Sequence, residues 1–81
     1  MIYIYGYPND GYTLRMESLC ARYKHDYEVK DLNDPEIQKW FYEQGIGEAP
    51  AVFENDEFLG SFNDLVHYVW MLQRLQQEGF K

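Results

Sequence analysis

One cysteine, two histidines and a short acidic joint are what this 81-residue chain offers for chemistry. A single thiol, Cys20, excludes an intramolecular disulfide and any two-thiol redox pair, and it gives no sign of an oxidising compartment. Its neighbours at helical spacing, Met16, Leu19 and Tyr23, are apolar, so Cys20 reads as an ordinary packed side chain. His25 and His67 have no metal-ligand spacing with Cys20, and no metal site is expected. The acids are scattered, and no two of them form a recognisable general acid–base pair. Two local joints remain. Asp10-Gly11-Tyr12-Thr13 stands where a turn-rich loop enters a helix. There the Asp10 carboxylate can accept from the N–H groups of Tyr12 or Thr13 and face the positive end of the helix dipole. Asn63 and Asp64 stand in the same relation to the last helix, and capping alone accounts for both.

The elements that must hold these joints are marked by turn residues. Ile2-Tyr3-Ile4-Tyr5 is β-branched and aromatic without polar alternation, which predicts a strand buried on both faces. Gly6, Pro8, Asn9, Asp10 and Gly11 make a loop. Tyr12, Met16, Leu19, Cys20 and Tyr23 then recur at helical spacing, predicting a helix to about Lys24. Tyr27 to Asp31 alternates as a half-buried strand. Asn33 before Asp34-Pro35-Glu36 marks a helix start, with a capping side chain, a proline in the first turn and acids at the positive dipole end. That helix carries Ile37, Trp40 and Phe41 and stops near Gly45 or Gly47. Ala51 to Glu54 is a strand, Asn55-Asp56 a tight turn, and Glu57-Phe58-Leu59 returns antiparallel. The last helix runs from about Phe62 to Glu78, with Leu65, Tyr68, Val69, Leu72 and Leu75 on one face and Gly79 placed to end it. Beside that face lies a further stripe, Phe62, Val66 and Trp70, which is either a wide core-facing surface or a partner surface. The order is βαβαββα, an α/β chain with a mixed four-stranded sheet flanked by three helices.

Composition narrows what such a domain can do. With 46% hydrophobic and 19% aromatic residues, the chain has too much apolar mass to stay disordered, and residues 1–81 read as one domain. Fourteen acids against seven bases leave a net charge of −7. Scattered bases cannot release the counterions of a phosphate backbone, so neither nucleic acid nor an anionic membrane surface is expected as a partner. No apolar run approaches a membrane span. Met1 to Tyr7 lack the basic segment and cleavage site of a signal peptide, so a cytoplasmic location is expected.

With these residues at its joints, the chain resembles the glutaredoxins of the thioredoxin fold over essentially its whole length. Three segments carry the resemblance: Tyr5-Gly6-Tyr7-Pro8-Asn9-Asp10-Gly11-Tyr12-Thr13, Glu48-Ala49-Pro50-Ala51-Val52-Phe53, and Phe58-Leu59-Gly60-Ser61-Phe62-Asn63-Asp64-Leu65. The segment around Pro50 is similar to the family's Thr-Val-Pro-x-x-Phe, whose proline is cis and borders the active site. The segment from Phe58 to Leu65 is similar to the Gly-Gly-aromatic-x-Asp-Leu that opens the last helix. The departure is as informative. The family's Cys-Pro-Tyr-Cys or Cys-x-x-Ser aligns with Asp10-Gly11-Tyr12-Thr13, which leaves no catalytic residue and four degenerate active-site positions. That chemistry needs a thiolate at a helix N-terminus, and a carboxylate cannot form a mixed disulfide. Cys20 is no substitute, since ten residues of helix place it about 15 Å from Asp10 along the axis. Iron–sulfur binding, which in the family uses the first of those cysteines, is disfavoured for the same reason.

The resemblance also implies where glutathione would lie. Ala49 and Pro50 match the cis-proline segment that pairs with the tripeptide, and Asn63 and Asp64 match the helix start that holds its γ-glutamyl end. The glycine carboxylate is met in the family by a basic side chain near the loop, and by Lys, Arg or Gln on or after the second helix. Here the loop position is Tyr7, and Gly47-Glu48 stands where a polar or basic pair would help. Asp10 and Glu48 would repel an anionic tripeptide, so no cofactor is expected and glutathione should bind weakly or not at all. Tyr7 also invites comparison with glutathione transferases, but the Gly60-to-Asp64 joint is closer to a glutaredoxin. Very short glutaredoxin-like proteins are common in bacteriophages, an origin compatible with this chain.

The reading is a redox-inactive glutaredoxin-like protein that binds a protein or peptide partner at the old active-site groove through Tyr7, Tyr12, Ala49, Pro50, Asn63 and Asp64. One alternative is a glutathione-binding or glutathione-dependent enzyme with an atypical site. Another is an acidic inhibitor of a basic partner.

Overall fold

A computed structural model describes the backbone of residues 1–78 and the side chains of residues 1–74. The strands are β1 (Ile2–Gly6), β2 (Tyr27–Asp31), β3 (Ala51–Glu54) and β4 (Glu57–Gly60), and the helices α1 (Gly11–Arg22), α2 (Pro35–Glu43) and α3 (Phe62–Glu78). They follow one another in the expected βαβαββα order. The sheet order is β2-β1-β3-β4. β1 runs parallel to β2, with Ile4 opposite Val29, and antiparallel to β3, with Ile4 opposite Val52. A parallel pair needs a long crossover, which α1 supplies. β3 and β4 close the sheet as a hairpin through Asn55, whose φ of 54° is a left-handed conformation that asparagine tolerates.

The absence of polar alternation in β1 has a direct consequence. Ile2, Ile4 and Val52 point to one face of the sheet, where Met16 and Cys20 of α1 and Leu65 and Val69 of α3 complete a core. Tyr5, Ala51 and Phe53 point to the other, where Phe41 of α2 and Leu32 close another core with Trp40 and Ile37 at its margin. This core is aromatic. Tyr5 stacks on Trp40 at 5.0 Å and on Phe41 at 5.7 Å, and Phe53 meets Tyr5 edge-on at 5.1 Å. Each such pair contributes about 0.5–1.5 kcal/mol beyond the area it buries.

Several boundaries differ from expectation by a residue or two. The capping side chain of α2 is Asp34, which accepts from the N–H of Glu36 at 2.9 Å, whereas Asn33 lies in the preceding turn with its own N–H on Asp31. A residue before proline is pushed out of the helical region, so Asp34 takes the extended backbone that a cap requires. α1 stops at Arg22 because Lys24 adopts a left-handed φ of 58°. α2 stops where Gly45, at φ 72°, turns its N–H back onto Tyr42. On α3, Leu65 and Val69 are buried and Tyr68 and Leu72 half-buried, as the core stripe predicts. The side chain of Leu75 and the expected stop at Gly79 lie outside the described residues. Among the described residues no helix is long and apolar enough to cross a membrane.

Candidate functional site

Three elements meet at the end of β1. Gly6 is buried there, and a side chain at this position would run into the Thr13 hydroxyl and come within 3.0 Å of the Pro50 ring. The missing Cβ lets the first turn of α1 and the entry to β3 close on the strand. Pro50 follows a cis peptide bond from Ala49, as the resemblance implies.

Asp10 sits at the head of α1 in an extended conformation. Its Oδ2 accepts from the N–H groups of Tyr12 at 3.1 Å and Thr13 at 3.2 Å, and from the Thr13 hydroxyl at 3.5 Å. Thr13 is fully buried, so its hydroxyl needs that partner. The carboxylate is therefore committed to the backbone of its own helix. Tyr7 and Tyr12 lie exposed on either side of this junction, with the Arg15 guanidinium 5.4 Å from the Tyr12 ring.

Pro50 forms part of the wall of an open groove of about 450 Å³ between the end of α2, β4 and the start of α3. Gln44, Ile46, Glu48, Phe58 and Ser61 line it as well. Of the residues singled out from the sequence, Pro50 lines this groove and Ala49 adjoins it, while Tyr7, Tyr12, Asn63 and Asp64 do not line it. Asp64 is engaged locally: its Oδ2 accepts from the Ser61 N–H at 2.9 Å and from the Ser61 hydroxyl at 3.2 Å. That is one half of a capping box at the head of α3. Gly60, at φ 134°, makes it possible, since a side chain there would collide with the Asp64 carboxylate. Asn63 is exposed on the first turn.

Gln44, Ile46 and Phe58 are not among the site residues expected from the sequence. Gln44 had a signal: it is the polar residue just before Gly45, in the zone where the resemblance places a Lys, Arg or Gln. Its amide now donates to the Trp40 carbonyl at 3.3 Å. Phe58 had a weaker one, an apolar residue on an outer strand, and its ring meets Phe53 at 5.4 Å.

The thiol lies elsewhere. Cys20 is fully buried under α1, and burial pushes its pKa up to about 11, with Glu17 adding a smaller push. It is not a thiolate at neutral pH. Among the described residues no group of three or more His, Cys, Asp or Glu side chains is placed to hold a metal ion. Another groove, of about 360 Å³, lies against Tyr3, Tyr5 and Trp40, but the chain's own Lys30 stands there, 5.3 Å from the Tyr3 ring and paired with Glu28 at 3.0 Å.

A parallel β1–β2 pair, an antiparallel close and a cis proline beside the head of α1 define a thioredoxin-like fold of the glutaredoxin type. Solved glutaredoxins superpose on it. Glutaredoxin C1 from Populus tremula × tremuloides is 21% identical, with a TM-score of 0.72 over 95% of this chain and 76% of that one. A glutaredoxin from Brucella melitensis is 26% identical, with a TM-score of 0.63 over 82% of this chain and 74% of that one. A buckwheat glutaredoxin solved as a glutathione complex is 15% identical, with a TM-score of 0.66 over 82% of this chain and 64% of that one. The chain thus spans a little under two thirds of the buckwheat protein. No protein-family model matches the chain, and no curated protein does.

Proposed function

We propose that the chain is a glutaredoxin-like binding protein without thiol–disulfide chemistry, with Asp10-Gly11-Tyr12-Thr13 in place of the redox motif. In this reading the groove beside Pro50 receives an extended peptide segment of a partner protein. The observation that carries it is the fate of the carboxylate and the thiol that could stand in for a catalytic thiolate. The Asp10 carboxylate is spent on the N–H groups of Tyr12 and Thr13, and the one thiol is sealed in the core. What is left at the joint is shape: a proline shelf, the apolar walls of Ile46 and Phe58, and the amide of Gln44.

Charge sets the preference. Glu48 is the one carboxylate among the described residues lining the groove, and no Lys or Arg among them lines it. A neutral or basic segment with an apolar anchor suits it better than an anionic tripeptide. Glutathione is accordingly a weak ligand in this reading. The glutathione-dependent alternative draws its support from Gln44 and Ser61 sharing a groove with the cis proline. Titrations followed by amide shifts at Ala49, Ala51 and Ser61 separate the two. The peptide reading expects saturable shifts with short basic, apolar-anchored peptides and at most slight ones with glutathione at physiological salt. Saturation by glutathione at low millimolar concentration or below, with no response to peptides, would establish the alternative.

A further inference from the structure

The clefts on the outer face of α1 and α3 differ in charge from the two grooves described above. Where the two helices pack, a cleft of about 340 Å³ is lined by Leu14, Arg15, Ser18, Leu19, Arg22 and Phe62. Another cleft, also of about 340 Å³, is lined by Tyr23, Trp70, Gln73 and Arg74. A third, of about 590 Å³, adds Lys24 and His25 and shares Arg22 with the first and Tyr23 and Gln73 with its neighbour. The shared residues make the three one continuous surface. No carboxylate among the described residues lines any of them, although the chain carries fourteen acids against seven bases. The groove at Pro50 holds Glu48, and the aromatic groove holds Glu36 and Asp56.

Helix electrostatics explains only part of this. Arg22 is in the last turn of α1, where a cation suits the negative dipole end. Lys24, directly after the cap Tyr23, shares that reason, but Arg15 sits mid-helix and does not. Arg15, Arg22 and Lys24 form no ion pair with any described residue.

The same face is apolar. Phe62, Val66 and Trp70 follow one another at four-residue spacing, spanning about 12 Å of α3. Phe62 is rooted in the core, but Val66 is 37% and Trp70 54% exposed, and Leu14 stands 48% exposed across the first cleft. The backbone here belongs to two helices and is hydrogen-bonded internally, so it offers no strand edge to an extended ligand. A ridge of side chains entering between helices is the mode such a surface accepts.

We infer that this face, from Leu14 and Arg15 to Lys24 and Trp70, docks an acidic amphipathic helix of a partner protein, independently of the groove at Pro50. Charge complementarity selects the partner: apolar side chains enter the clefts while its Asp and Glu meet Arg15, Arg22 and Lys24. Another copy of the chain fits less well. The helix with its densest acids, α2, turns Ile37, Trp40 and Phe41 into its own core. An anionic membrane fits less well too: its extended field acts on the whole chain of net charge −7, whereas a single docked helix feels chiefly the charges within about a Debye length.

The test uses the full chain and two synthetic helical peptides with the same leucine stripe, one with Glu and one with Lys at every polar position. The Glu peptide should bind saturably, shift the amides of Ser18, Arg22, Val66 and Trp70, and leave Ile46 and Glu48 unmoved. Its affinity should fall as salt rises, and by roughly tenfold or more in Arg15→Glu with Arg22→Glu. Trp70→Ala should weaken it separately, which keeps the test decisive if the charge variant folds poorly. Equal binding of the two peptides, no saturable binding, or shifts confined to other surfaces would overturn the inference. So would stronger shifts of the same amides by phosphatidylserine vesicles, or by raising the concentration of the protein alone.

Discussion

Asp10 keeps an anion at the head of α1 and turns it inward. Its Oδ2 meets the N–H groups of Tyr12 and Thr13, which have no partner within the helix. Asp10→Ala should therefore cost about 0.5–2 kcal/mol, and Asp10→Asn less, since the amide oxygen still accepts. Denaturant melts of the three proteins check this. An alanine variant as stable as the wild type that had lost partner binding would make Asp10 a recognition residue instead. This much was legible in the sequence, because a cap is made by atoms two or three residues apart. The resemblance placed Pro50 at this border, but the tight fit of Gly6 between Thr13 and Pro50 was not legible, because it depends on how closely three elements approach in the fold. Cys20 makes another prediction. Burial raises its pKa to about 11, above that of a free thiol, so the unfolded chain releases this proton first as pH rises. The resulting stability is complete below the free-thiol range and is lost as pH climbs through about 11. Tyr5 and Tyr68, both raised mainly by burial, act in the same direction at higher pH. Cys20→Ala should flatten the first part of that alkaline loss, as followed by melting temperature. Native Cys20 should also react with a thiol reagent only as fast as the protein opens, with the rate rising sharply in denaturant.

At the scale of elements, local chemistry and close approach make separate demands. The start of α2 shows the first. Pro35 removes an N–H that would have had no partner and forces Asp34 into the capping conformation, so one dipeptide sets the boundary. Asn33 has an equally suitable side chain, and only the proline rule distinguishes them. The periodicity of β1 and α3 was readable for a similar reason, since alternate and four-residue spacings carry over directly into the two cores. The groove walls were not readable. Ile46 and Phe58 come from a loop and an outer strand, and no spacing relates them until the hairpin folds beside α2. Close approach governs the junction at Gly6. Gly6→Ala would drive a methyl into the Thr13 hydroxyl and against the Pro50 ring. Overpacking of this kind costs about 1–3 kcal/mol. Thr13→Ala in the same chain should recover part of the loss and no more, because the Pro50 contact at 3.0 Å remains. A double-mutant cycle by urea melts measures the coupling, and additivity of the two changes would show that the strand and helix do not press on one another there.

The whole molecule combines a sheet covered on both faces with a charge of −7, and these set what can be built on it. The scaffold retains the thioredoxin-like arrangement: a strand end, a capped helix and a cis proline brought to one place. In the proposed reading, thiol chemistry is absent for want of side chains, and Glu48 in the groove opposes an anionic tripeptide. These two deficits can be reversed separately. The wild type should show no glutathione-dependent reduction of a mixed disulfide, since its one thiol is buried and protonated. Asp10→Cys with Thr13→Cys would place one thiol at the half-buried head of α1 and another at the fully buried position behind it. The helix dipole and the N–H groups now held by Asp10 would then favour a thiolate at the first position. Activity in this double variant should stay low, because the acid in the groove still repels the tripeptide. Adding Glu48→Lys should raise it mainly through a lower KM for glutathione, with kcat changing less. Salt should matter in opposite senses. Screening weakens repulsion in the double variant and attraction in the triple one, so added salt should lower the first KM and raise the other. If Glu48→Lys left KM unchanged, charge at the groove would not be what sets the ligand preference, and a peptide partner would have to be sought by shape alone.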